Sequence, residues 1–278
     1  IKLIQFNGDV MRIVFLFKAK KLPIIYRHRM LSFIKKCIDG FDDKLREKLY
    51  DDKNRKKLFT FAVRPPPEHR IEDSVIQIDD NYVIRDKVFV SEEGLYKLVV
   101  SSADHKVIWA LLGGYSDLFK GGVFDFSADD NMLVDGEKVL LEFTHVKYLN
   151  KKIRYVEKGE ALFNTLSPIY LEDKNGKPVL FDDKRFVELL NHSLNRTLTM
   201  ERGFGLRKSL EFIPVDMKKK VVKHTLKDFR EKTGKAIMYL ETSAGSFVLK
   251  GDKRDLEFIY DAGLGHRTGQ GFGLLEVV

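Results

Sequence analysis

Between Gly263 and Gly273 the chain reads GLGHRTGQGFG, five glycines in eleven residues. Glycine lets a backbone take left-handed conformations and approach another surface closely. Two uses fit. One is a cradle of backbone N–H groups for a phosphate or sugar, with His266 and Arg267 as polar contacts. The other is a flexible helix-to-strand connection. The stretch lacks the third glycine of a dinucleotide fingerprint and the Gly-Lys-Ser/Thr of a Walker loop, so neither of those nucleotide sites is present. Charge points to an anionic partner of a different kind. From Lys18 to Lys57 there are 14 Lys or Arg against 6 Asp or Glu, and from Glu201 to Lys235 there are 11 against 5. The rest of the chain is slightly acidic, although the whole carries +8. Two basic patches in an acidic background favour nucleic acid over a small anionic metabolite.

The elements that position these residues follow from periodicity and punctuation. MRIVFLFKAK reads as a strand. In RMLSFIKKCIDG, Met30, Ile34 and Ile38 share a helix face that Leu31, Phe33 and Cys37 widen, and Gly40 stops it. A short helix follows, capped by Asp42 or Asp43, with Leu45 and Leu49 one turn apart. KLFTFAV is a strand, RPPPEHR is irregular, and SVIQI and NYVIR make a hairpin around Asp79 and Asp80. GLYKLVVSS is a strand, and Asp104 caps a helix through HKVIWALLGG. GGVFDFSA and KVLLEFTHVKYL complete a first half near residue 150. The second half repeats the order. ALFNTLSPIYL is a strand interrupted by Pro168, and DKRFVELLNHSLNRTL is a helix with Phe186, Leu190 and Leu194 inward. RKSLEFIPV and KVVKHTL read as adjacent strands, and KAIMYLETSAGSFVLKG as another strand pair. Asp252 caps the last helix, and GLLEVV closes the sheet. This is an α+β chain of two tandem ferredoxin-like (RRM-like) units, residues 11–150 and 151–278, the second carrying the glycine-rich loop.

The apolar fraction is 44%, enough for a core, and no apolar run is long enough to span a bilayer. No basic-then-apolar leader is visible, and Met11 reads as a natural start, so no role is expected of the ten residues before it. A soluble, cytoplasmic protein with no membrane partner is expected. Cys37 stands alone and reads as a core filler, which excludes an internal disulfide. Histidines and carboxylates do not gather at ligand spacing, so neither metal nor cofactor is expected.

GLGHRTGQGFGLLEV strongly resembles the C-terminal signature of the CRISPR repeat-RNA endoribonucleases of the repeat-associated (RAMP) superfamily. MRIVFLFKAKKLPIIYRHRML, KLFTF and LFNTLSPIYL resemble its other landmarks, so the resemblance runs from Met11 to Val278. It implies two ferredoxin-like domains and metal-free cleavage of CRISPR repeat RNA. The ribose 2′-hydroxyl attacks the adjacent phosphodiester and leaves 2′,3′-cyclic phosphate and 5′-hydroxyl ends. The family's usual residues are a tyrosine in the first helix, a histidine ending the next one, and a lysine before the LFT strand. The lysine falls on Lys57. The tyrosine falls on Phe33, and the histidine at or beside Tyr50. No histidine lies between His28 and His69, which leaves His28, Tyr26 and Tyr50 beside Lys57 as catalytic candidates. A binding relative with little activity is the other reading. An interference complex and a homodimer are further partners in view.

The RNA-binding candidates are Lys21, Arg27, Arg29, Lys35 and Lys36 in the first basic region. Arg207 and Lys208 belong to the second. His192 and Arg196 join Glu188 on one helical face at four-residue spacing. Gly263, Gly265, His266, Arg267, Gly271 and Gly273 belong to the loop. Phe204 and Phe272 would stack on bases if exposed, and pin their loops to the core if not.

Overall fold

In β1 (Arg12–Lys18) nearly every side chain is buried, because the strand is covered on both faces. Ile13, Phe15 and Phe17 face the helices of their own domain, and Val14 and Leu16 meet Leu274 from the end of the chain. The computed structural model describes residues 11–50, 56–118, 122–128, 131–149 and 159–278. The ten residues before Met11 and the domain boundary expected at 150–151 lie outside the described residues.

After β1 come β2 (Lys21–Pro23), α1 (Arg27–Asp39) and α2 (Asp43–Tyr50). Met30, Ile34, Ile38 and Cys37 of α1 are fully buried, as their spacing predicts. Asp42 caps α2, accepting the Leu45 N–H at 2.9 Å. Then follow β3 (Phe59–Arg64), β4 (Arg70–Gln77), β5 (Val83–Val90), β6 (Tyr96–Ser102) and α3 (His105–Leu118), with Asp104 accepting the Lys106 N–H. The half ends with β7 (Val123–Asp125), β8 (Leu133–Val134), β9 (Glu137–Lys138) and β10 (Leu140–Tyr148). The main sheet has the order β3-β6-β1-β10-β7 and is antiparallel throughout. The path β1-α1-β3-β6-α3-β10 is ferredoxin-like. A second sheet, β2-β5-β4-β8-β9, enlarges the expected hairpin. Three of its strands are only two or three residues long, too short to leave a periodic signal.

The second unit contains β11 (Glu160–Thr165), α4 (Phe186–Arg202), β12 (Glu211–His224), α5 (Lys227–Thr233), β13 (Met238–Lys250), α6 (Lys253–Ala262) and β14 (Leu275–Val277). Its sheet, β12-β13-β11-β14, repeats the ferredoxin-like order. Four strands expected between Arg207 and Gly251 are two. RKSLEFIPV and KVVKHTL belong to one strand, β12, and KAIMYLETSAGSFVLKG gives the single strand β13. The lysines between the apolar runs read as a turn, yet they lie on the exposed stretch of a long ladder. That ladder bends without breaking, with a bulge between Pro214 and Asp216 opposite Phe247 and Ser246, next to Gly245 at φ 127°.

The two units meet along the open face of the first sheet. Arg12 donates to the carbonyls of Leu275 (2.8 Å) and Tyr260 (2.9 Å) and lies 3.9 Å over the Tyr260 ring. At another seam Lys223 pairs with Asp86 (2.7 Å), and Arg230 with Asp79 (2.8 Å). Among the described residues no helix is long and apolar enough to cross a membrane.

Candidate functional site

The glycine-rich loop follows α6 and folds back on itself. The Leu264 N–H donates to the Gly273 carbonyl (2.9 Å), and the Gly273 N–H to the Pro168 carbonyl (2.8 Å). It also grips the first domain. Thr60 Oγ1 donates to the Phe272 carbonyl (2.7 Å), and Thr268 Oγ1 to the Lys57 carbonyl (3.1 Å). Two glycines display why the stretch needs so many. Gly271 (φ 84°) leaves room for the Phe61 ring, and Gly273 (φ 71°) for the Leu264 backbone. Gly263, Gly265, Gly271 and Gly273 are all buried against protein, which corrects their expected role as phosphate contacts. Phe272 is likewise fully buried, so it pins the loop and stacks on no base. His266 and Arg267 stay at the rim, half-buried. Burial and then Lys56 lower the His266 imidazole below its usual range. Arg267 lies 3.6 Å from Glu172 and 5.1 Å over Tyr170.

A cationic cluster stands against this loop. A side chain at Gly269 would collide with Lys57, whose Nζ lies 4.0 Å over the Tyr50 ring. Lys35 Nζ lies 4.7 Å from the same ring. The α1 helix supplies Lys35, the end of α2 supplies Tyr50, and the run into β3 supplies Lys57. Burial first, then the Lys35 charge, lowers Lys57 to about 8. Burial pushes the Tyr50 phenol well up, so it stays neutral, and its buried hydroxyl has no hydrogen-bond partner among the described residues. Such a group holds a neutral donor beside an amine that titrates near physiological pH.

Other expected site residues lie elsewhere. Phe33 is fully buried and stacked 4.5 Å from Phe143. Tyr26 is buried in the first-domain core. Burial, then His224, then Arg29, push His28 down to about 3, with Ile25 O 3.0 Å from Nδ1. It is a neutral imidazole at pH 7, too weak a base for the catalytic role expected of it. Arg29 is fully buried, with Phe124 and Phe126 at 5.8 and 5.9 Å and the Asp125 carbonyl at 3.4 Å, so it serves the core rather than a phosphate. Lys36 lies 5.5 Å from Phe124, and Lys21 pairs with Asp135 at 2.6 Å. A cleft of about 540 Å³ beside Lys21, with Lys18, Lys20 and Lys138 among glutamates, shares no residue with the Lys57 cluster.

On α4, Glu188, His192 and Arg196 share an exposed face, with no hydrogen bond among them in the described residues. Lys208 is exposed. Arg207 is committed to Asp255: its Nη1 and backbone N–H reach that carboxylate at 2.8 and 2.6 Å, and Arg202 Nη2 reaches it at 2.8 Å. Asp255 is fully buried. Asp255→Ala will therefore cost about 3–5 kcal/mol, read as a lower urea midpoint, because two guanidiniums lose their counter-ion.

Sequence reasoning gives Lys56, His224 and Gln270 no role. Burial lowers Lys56 to about 8 and His224 to about 3. Gln270 lies in the quoted loop, but glycine spacing alone does not single it out.

Comparison with known proteins agrees with this architecture. Residues 149–277 match the family model described as CRISPR associated protein Cas6, C-terminal. No curated protein matches the chain. The fold is similar to a structure described as "Characterization of a Cas6-related gene from Pyrococcus furiosus", at 19% identity over 96% of this chain and 98% of that one, TM-score 0.70. It is similar to "An RAMP protein binding different RNA substrates", at 18% identity over 96% and 99%, TM-score 0.69. A third, "CRISPR associated protein Cas6", is 22% identical over 96% and 99%, TM-score 0.63.

Proposed function

We propose that the chain, whose residues 149–277 match the Cas6 C-terminal family model, acts as a protein of the Cas6 family: it binds CRISPR repeat RNA and cleaves it without metal. The products are a mature guide RNA, ready for an interference complex, and ends bearing 2′,3′-cyclic phosphate and 5′-hydroxyl. A protein of this fold is described as binding different RNA substrates, which supports RNA as the partner. The observation that carries the reading is the group of Lys35, Tyr50 and Lys57, with the Lys57 amine lowered to about 8.

In this reading the free amine of Lys57 takes the proton of the ribose 2′-hydroxyl as that oxygen attacks phosphorus. The Lys35 ammonium offsets the charge gathering on the phosphorane oxygens, and the Tyr50 ring holds the Lys35 and Lys57 side chains side by side. The P–O5′ bond breaks, and the 5′-oxygen takes its proton from water. Lys57 thus does proton work at near-neutral pH that an imidazole does elsewhere.

The test uses purified protein and repeat RNA in EDTA, beside RNA with a single 2′-deoxy substitution at the cut site. Site-specific cutting of the first RNA alone is expected. Binding-only behaviour is the second reading. It is favoured by the buried Phe33 and by the lack of any histidine among the described contacts of Lys35, Tyr50 and Lys57. Tight binding without product over long incubation decides for it.

A further inference from the structure

Arg27, His28, His224 and Gln270 meet where the start of α1, the end of β12 and the turn Thr268–Gln270 converge. The His224 ring lies 6.0 Å from Phe272, edge to face, and the Arg27 guanidinium lies 5.0 Å from the same ring. His224 is 1% exposed and Arg27 is 8% exposed. Buried polar atoms gather there: His28 Nε2 and Arg267 Nε have no hydrogen-bond partner among the described residues, and the His224 ring nitrogens and Gln270 Oε1 act on each other without meeting in good hydrogen-bond geometry. Arg27 gives one long hydrogen bond, 3.4 Å to the Gly271 carbonyl. Buried polar groups are nearly always satisfied, so a concentration of unsatisfied ones marks a place where something else binds.

The charges facing this spot decide what kind of ligand fits. Arg27 and Arg267 act on His224, and Arg29 and Arg230 act on His28. Lys220, exposed on β12, feels Arg27. The carboxylates nearby are already used, Glu172 by Arg267 and Asp79 by Arg230. The surplus is positive, and imidazole N–H groups and a guanidinium are donors, so an anion with several acceptor oxygens fits and a metal cation does not.

We propose that Arg27, His224 and Gln270, with His28 and Lys220 beside them, form a subsite for one phosphate of the bound RNA, on the domain seam, in the turn whose Gly269 packs against Lys57. This rests on the reading of the chain as an RNA-binding protein. Arg27 and one imidazole N–H donate to the phosphate oxygens, while Gln270 holds the other side of the His224 ring. Both imidazoles sit near 3 because burial and surrounding cations disfavour their charge. A phosphate oxygen in their midst reverses that balance and raises both values.

Full-length protein with isotope-labelled histidine is titrated by NMR from pH 8 to pH 5, alone, with repeat RNA, and with inorganic phosphate. The expected result is that His28 and His224 stay neutral down to pH 5 when free, and that with RNA at least one of them titrates within that range. Gln270→Glu, which sets a carboxylate in the subsite, is expected to weaken RNA binding by about tenfold. Gln270→Met, with unchanged melting temperature, is expected to weaken it less. If RNA binds while both imidazoles and the Gln270→Glu affinity stay unchanged, the subsite is overturned and the RNA-binding reading stands. A response to inorganic phosphate but none to RNA assigns a free-anion site and overturns the RNA assignment. No response to either probe overturns the subsite, whatever becomes of the wider function.

Discussion

Lys57→Met will slow single-turnover cleavage by about 10²–10⁴-fold, the usual contribution of a positioned proton-transfer group. Its RNA affinity will fall by less than about tenfold, since at most one charged contact is lost. The wild-type rate also carries a signature. In the proposed mechanism the working form of Lys57 is the free amine, and the protonated form dominates below about 8. The rate is therefore expected to rise about tenfold per pH unit up to that point, and to level off above it. Lys35→Met removes one of the two causes that lower Lys57, so it should move the inflection to higher pH. A rate flat from pH 6 to pH 9.5 in an enzyme that still needs the 2′-hydroxyl would sink the assignment of Lys57 as base. The Lys35 and Lys57 pairing on Tyr50 would then be a stabilising contact of cation and ring, worth about 0.5–2 kcal/mol.

Much of this arrangement was legible in the residues, for reasons that differ from element to element. α1 and α4 declare themselves because each buries one face. Met30, Ile34 and Ile38, then Phe186, Leu190 and Leu194, repeat at helical spacing. The tandem ferredoxin-like order follows from those helices and the apolar strands around them. The long β12–β13 ladder was not legible, since its exposed stretch carries lysines where periodicity expects a turn. The fate of the arginines was not legible either. Arg27, Arg29 and Arg207 sit in basic stretches that suggest RNA. Their burial, and the commitment of Arg207 to Asp255, depend on partners 48 to 244 residues away. The family resemblance singles out Lys57 by its place before β3, but its lowered pKa arises first from burial and then from the Lys35 charge. Sequence neighbours cannot reveal such desolvation.

Gly273→Ala will lower the melting temperature by about 10 °C, a loss of several kcal/mol in a domain of this size. Two causes add. Gly273 has φ 71°, where a Cβ costs about 1–2 kcal/mol. That Cβ would also press into the Leu264 carbonyl and backbone, which cannot swing aside because the Leu264 N–H is bonded to the Gly273 carbonyl. Relief would require the turn to open. Opening would carry Leu274 away from Val14, Leu16 and Ala62, and Phe272 away from Thr60. The domain seam, rather than the loop alone, would loosen, and with it the wall behind Lys57. Gly203→Ala separates the two causes. Gly203 has φ 83°, but a Cβ there meets nothing within 4 Å. It should lose about 1–2 kcal/mol, leave the seam closed, and keep the cleavage rate. If the two variants melt alike, left-handed backbone strain explains both, and the loop is no clamp between domains. If Gly273→Ala melts far lower and also cuts repeat RNA more slowly at a temperature where it remains folded, the glycine-rich stretch acts on chemistry by holding the first domain in place.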